Sequence, residues 1–246
     1  MNVKLTLHGE QSPKITLPTV VKCLVILGTM GFLSIGPAFA QNAELQEKVA
    51  AAKQAAAENQ QKLRQYQWIE TTQLTIKGNQ KPPRQYSCQY GPDGQVEKTP
   101  MVPTEEQTSG GRIKRRIIEK KKAEMKDYMQ DVKAVLAMYV PPDPQRMQQA
   151  YQSGNVALSP APGSVNLVFT NYAQPNDKMI LTFDTATRKI STLNIDTYMG
   201  EAKDKVTLQV QMASLPDGTN YPAQTILNAA AKELTVTTMN SSYRKL

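Results

Sequence analysis

Val206-Thr-Leu-Gln-Val-Gln-Met212 alternates apolar and polar side chains without a break. A period of two places one set of side chains against a core and the other against water, the signature of a half-buried β-strand. The same alternation recurs upstream in Val165, Leu167 and Phe169 and again in Met179, Leu181 and Phe183. Downstream, Ala223–Leu227 continues the series and a final strand, Glu233–Met239, closes the chain. Turn-forming residues separate these runs: Asn176-Asp177, Thr185–Thr187, and Leu215-Pro-Asp-Gly-Thr-Asn-Tyr-Pro222, where Pro presets one backbone angle and Gly supplies another. From Ser164 onward the chain therefore reads as consecutive strands joined by short turns, which is an antiparallel meander.

Upstream, Trp68-Ile-Glu-Thr-Thr-Gln-Leu-Thr-Ile76 has strand composition, and Arg84–Tyr90 with Gln95–Met101 flanks a Gly91-Pro-Asp-Gly94 turn as a hairpin. Ala43–Tyr66 lacks Gly and Pro and is dense in Ala, Glu, Gln and Lys, which predicts a helix with a thin apolar stripe. Val102–Gly111 reads as a polar loop. Arg112–Tyr139 is the longest helical stretch, stopped by Pro141-Pro142, and Pro144–Gln152 is a short helix followed by a Pro/Gly/Ser loop to Gly163. The expected fold is α+β. Roughly nine to eleven strands form one curved antiparallel sheet, an incomplete β-barrel, with helices packed across its concave face.

The N-terminus sets an address. Lys4, Lys14 and Lys22 precede an uncharged run from Cys23 to Gly36, followed by Pro37 and the small-x-small triplet Ala38-Phe39-Ala40. This is the build of a cleaved secretory signal, with the cut after Ala40 and a single domain over 41–246. An uncleaved anchor is the competing reading, but Cys23–Ala40 spans 18 residues and contains three glycines, short and weak for a membrane helix. The mature chain is expected to be periplasmic or secreted.

Cleavage changes the chemistry available. The one histidine, His8, leaves with the signal, so Ser-His-Asp and Cys-His catalysis are excluded, and zinc or another transition metal has few ligands. Cys88 remains alone and cannot form an internal disulfide; its Tyr-Ser-Cys-Gln-Tyr context reads as a buried strand residue rather than a reactive thiol. Phe169, Phe183 and Trp68 are left beside ten tyrosines. There is no Gly-rich phosphate loop and no paired-carboxylate motif. The sequence points away from an enzyme and toward binding, with no catalytic residue, cofactor or metal expected.

The order of elements, a helix after a signal, a first hairpin, a helical insertion and a long meander, resembles the LolA-like family of periplasmic lipoprotein-sorting and lipid-carrying proteins. The residue-level likeness lies in Val206–Met212 leading into Leu215–Pro222, then Leu234–Met239 and the terminal Ser242-Tyr243-Arg244. The resemblance implies an incomplete barrel whose helices cover an apolar cavity that shelters acyl chains. The Arg-Pro-x-x-Phe-Arg-Trp type of motif of the lipoprotein chaperones is not found, so no individual binding residue is carried over.

Arg112–Lys122 gives the chain its basic character. Arg112, Lys114, Arg115, Arg116, Lys120, Lys121 and Lys122 stand against Glu119 alone, while the rest of the mature chain is balanced. Ile113, Ile117, Met125, Met129, Val132 and Leu136 thread the same helix as an apolar stripe. An ordinary amphipathic helix docked on the sheet satisfies this pattern. The functional reading is a lid, in which those six residues and Trp68 on the first strand line a site for a lipid or other apolar ligand. The seven cations would then attract anionic headgroups. The leading expectation is accordingly a non-catalytic carrier or sensor. The alternative is an envelope module that docks on anionic membrane or polymer through 112–122. Nucleic acid is not an expected partner, because the basic run holds no aromatic residue and the chain is exported.

Overall fold

The structure, a computed structural model, describes residues 50, 54, 57–102, 112–187 and 189–246. The signal segment, most of the first predicted helix and nearly all of the loop before Arg112 lie outside these residues. Of the first helix, 57–63 is seen to be helical, and Tyr66 already belongs to the first strand.

Eleven strands form one sheet: β1 (Tyr66–Ile76), β2 (Asn79–Gln80), β3 (Arg84–Tyr90), β4 (Val96–Pro100), β5 (Val156–Ala161), β6 (Ser164–Thr170), β7 (Lys178–Asp184), β8 (Ile190–Tyr198), β9 (Lys205–Ser214), β10 (Asn220–Ala229) and β11 (Leu234–Lys245). Their spatial order is β4-β3-β1-β11-β10-β9-β8-β7-β6-β5, with β2 beside β1, and every pairing is antiparallel. β4 and β5 end the order and, among the described residues, do not pair with each other, so the sheet is curved but open. Register shifts at Gln67/Ile69, Thr182/Phe183 and Pro222/Gln224 mark bulges, which bend a sheet.

The alternation that predicted the strands also builds the core. One row of side chains crosses eight strands in register: Val156, Phe169, Met179, Ile195, Leu208, Leu227, Val236 and Leu74. Beside it run Leu158, Leu167, Leu181, Leu193 and Val210, after which the row turns to Thr225, Thr238 and Thr72. The concave face is thus apolar from β5 to β9 and more hydroxyl-rich toward β1.

Two helices lie over the apolar half. The long helix Arg112–Leu136 sends Tyr128 and Val132 into the core, and Tyr139 follows them from the turns after it. The short helix Pro144–Gln152 adds Met147 and Ala150. Asp143 caps the short helix by accepting from the Gln145 N–H at 2.8 Å, and Pro144 occupies its first turn, where a missing N–H costs nothing.

Three expectations are corrected. The Pro/Gly/Ser loop before Gly163 is in part a strand, β5. Pro160 is tolerated there because β5 has only one neighbour and needs no donor on its outer side. The long helix ends at Leu136 rather than Tyr139; Met138 and Tyr139 bond back three residues, a tightened final turn. The last strand does not stop at Met239 but continues to Lys245 alongside β1.

Candidate functional site

The site is built on the apolar half of the sheet and the helix that crosses it. A buried polar cluster fastens the distal end of that helix. The Tyr139 phenol donates to Asp177 Oδ2 at 2.6 Å. Its oxygen lies 2.7 Å from Thr197 Oγ1, which therefore donates to it and in turn accepts from Gln174 Nε2 at 3.2 Å. Asp177 also accepts from the backbone N–H groups of Tyr172, Ala173 and Gln174 at 2.6 to 2.7 Å. Both Asp177 and Thr197 are 2 % exposed and Tyr139 is fully buried. Burial first, and then the Asp177 carboxylate, push the Tyr139 phenol well above the ordinary tyrosine range. Tyr172 packs on Tyr139 and reaches back to the Asp143 N–H, tying the short helix to the same point.

Farther up the long helix, Tyr128 is held less tightly. Its hydroxyl contacts Asp204 at 3.3 Å and Lys232 lies 5.5 Å above its ring. Burial, followed by the nearby Asp204 carboxylate, raises its pKa to about 12.

The seven predicted ligand-binding residues fall into three groups. Met125, Met129, Val132 and Leu136 come together on the sheet-facing side, Val132 fully buried and the others at the margin of the core. Ile113 and Ile117 stand in solvent, 77 % and 52 % exposed. The stripe fails there for a geometrical reason. Lys121 precedes Val132 by eleven residues, about three helical turns, and so occupies the line on which Val132 enters the core. Pressing that part of the helix onto the sheet would bury an ammonium group. Trp68 belongs to neither group. It is buried between Tyr90 and Tyr243, stacked on the latter at 5.5 Å, at the other end of the concave face. Of the predicted cations, Arg115, Arg116, Lys120, Lys121 and Lys122 are exposed on the helix, whereas the side chains of Arg112 and Lys114 lie outside the described residues.

The aromatic end has its own fastening. Both Glu70 oxygens accept from Lys98 Nζ, at 2.6 and 2.7 Å, on the strand-to-strand path that also buries Cys88. The helical segment 57–63 is joined to the Leu215–Pro222 turn through Asn59, whose amide pairs with both backbone groups of Asn220 at 2.5 and 2.6 Å. Tyr66 donates to Asp217 Oδ2 at 2.6 Å in the same turn, and the Thr219 N–H bonds the other oxygen. The Tyr66 bond first, then the Thr219 N–H, lower the Asp217 pKa to about 2. A carboxylate with a depressed folded-state pKa stabilises above its unfolded value and loses that contribution as pH falls through the folded value. The chain is therefore expected to lose stability between about pH 4 and about pH 2 in part through Asp217. Asp217→Asn should flatten that part of the curve of urea midpoint against pH; an unchanged slope removes Asp217 from the acid response.

Neither a protein-family model nor a curated protein sequence matches the chain. Solved structures do. One match is a LolA superfamily protein from Nitrosomonas europaea, 9 % identical, at a TM-score of 0.37, over 79 % of this chain and 93 % of that one. Another is a DUF1329 family protein from Desulfovibrio piger, 10 % identical, at a TM-score of 0.38, over 80 % of this chain and 93 % of that one. At these identities the likeness concerns the fold alone.

The polar cluster around Asp177 escaped sequence reasoning. Asn176-Asp177 looked like any turn, and nothing local announces that a tyrosine nearly forty residues earlier reaches the same carboxylate. Among the described residues no helix is long and apolar enough to cross a membrane, and no group of three metal-ligating side chains is assembled.

Proposed function

We propose that the protein is an exported, non-catalytic carrier or sensor that holds a lipid or other apolar ligand between the concave face and the long helix. The observation that carries this reading is the apolar row from Val156 to Leu208, on the half of the sheet that lies under a helix whose facing residues include Met125 and Met129. Methionine side chains repack around ligands of varied shape at little cost. The helix is fastened at its Tyr139 end by the Asp177 cluster, while its first turns bury neither Ile113 nor Ile117. Displacement of the cover from the free end would open the apolar face without unfolding the sheet. Export is supported by the basic, apolar and Ala-Phe-Ala segments of the N-terminus, which lie outside the described residues.

Native mass spectrometry of protein purified from an envelope fraction tests the reading directly. A co-purifying lipid, or uptake of a fluorescent fatty acid, is the expected result. Met125→Gln with Met129→Gln should weaken uptake about tenfold by placing amides against an acyl chain. A ligand-free spectrum together with no uptake overturns the proposal.

A further inference from the structure

Exposed apolar side chains are unevenly spread over this molecule. Among the described residues, five of the eight large exposed hydrophobics, Val96, Met101, Val102, Ile113 and Ile117, fall between 96 and 117. The last two are four residues apart on the long helix and so share one face. Lys121 continues their line by a further turn, and Arg116 and Lys120 run beside it. Arg115, Arg116, Lys120 and Lys121 are all exposed, and among the described residues no ion pair ties them to a carboxylate. Glu119 and Glu124 are the acids nearest along the helix.

A merely solvated helix end would place Glu, Gln or Ala at the isoleucine positions. β-Branched residues lose rotamer freedom in a helix and, when exposed, recover nothing by burial. A pair of exposed isoleucines set among exposed cations is instead the composition of a helix that lies in a lipid headgroup layer. A dissolved polyanion would use the cations and leave the isoleucines idle.

We propose that the first turns of the long helix dock on an anionic bilayer. Ile113 and Ile117 enter the boundary between headgroups and acyl chains, while Arg116, Lys120 and Lys121, which flank the isoleucines on the helix, face the lipid phosphates. The inference does not depend on the carrier reading: a protein that binds no ligand but sediments with vesicles keeps this proposal and loses that one, and the reverse holds equally.

The test is sedimentation of the purified exported protein with phosphatidylcholine vesicles, with and without phosphatidylglycerol. Binding is expected only to the anionic vesicles, and raising salt from ~0.1 M to ~1 M, which shortens the screening length from about 10 Å to about 3 Å, should release most of it. Lys120→Glu with Lys121→Glu should lower the affinity by at least about tenfold. Ile113→Ser with Ile117→Ser should also lower it about tenfold, with salt dependence intact. Both pairs are exposed, so melting curves should match the parent and separate lost docking from lost folding. Three results overturn the proposal: no sedimentation with anionic vesicles, equal binding to phosphatidylcholine alone, or parental affinity in the isoleucine variant.

Discussion

Asp177→Ala is expected to cost about 3–5 kcal/mol of folding free energy, read as a lowered urea midpoint. The substitution removes an acceptor from three backbone N–H groups and one phenol, and all four donors lie in or near the core. A buried donor deprived of its partner loses the bond and also suffers the full cost of having left water, about 1–3 kcal/mol each. The losses do not simply add, because the loop 171–177 can relax toward solvent. Tyr139→Phe isolates one member of the set and should cost about 1–2 kcal/mol. The double variant should cost less than the two singles together, since they share the 2.6 Å bond. An Asp177→Ala penalty below about 1 kcal/mol would falsify the view that this carboxylate pins the helix end to the sheet.

Phe169→Ala should lower stability by a comparable amount, about 3–5 kcal/mol, through lost burial and the cavity left behind. Phe169 is fully buried, stands between Val156 and Met179 in the apolar row, and meets the Tyr172 ring edge-on at 5.6 Å. It is one of only four phenylalanines in the chain. Thermal melting of Phe169→Ala and Phe169→Leu discriminates between mechanisms. A deep loss with Ala and a loss under about 1.5 kcal/mol with Leu fits a packed core. Equal, small losses would mean that the face under the helix is loosely filled there.

The fold was legible in the sequence wherever one face of a strand meets the core. Val206–Met212 lies wholly inside β9 and Val165–Phe169 wholly inside β6, because alternation is imposed by burial on a single side. Legibility failed at the edges. β5 is largely exposed and contains Pro160, so neither periodicity nor propensity marks it. The tail Asn240–Lys245 is a strand only because β1, eleven residues long, offers it a partner across a bulge at Ser242, whose φ is 55°. The candidate site was legible in part. The helix, its stripe and the spacing that sets Lys121 on the Val132 line are all visible in the sequence, but that this leaves Ile113 and Ile117 in solvent shows only in the structure. Trp68 carried no sequence signal of its surroundings, since Tyr90 and Tyr243 come to it from two other strands.

The strand order has a consequence in time as well as in space. β11, the last strand in chain order, lies between β10 and β1, the first. β5 through β10 each pair with a neighbour in sequence and can assemble as they emerge, since adjacent segments close short loops at low entropic cost. The hairpin of β1, β3 and β4 has no place in the sheet until Leu234–Lys245 exists to receive it. The first strands must therefore wait for the last of the sheet, and whatever withholds Leu234–Lys245 leaves the whole sheet unfinished.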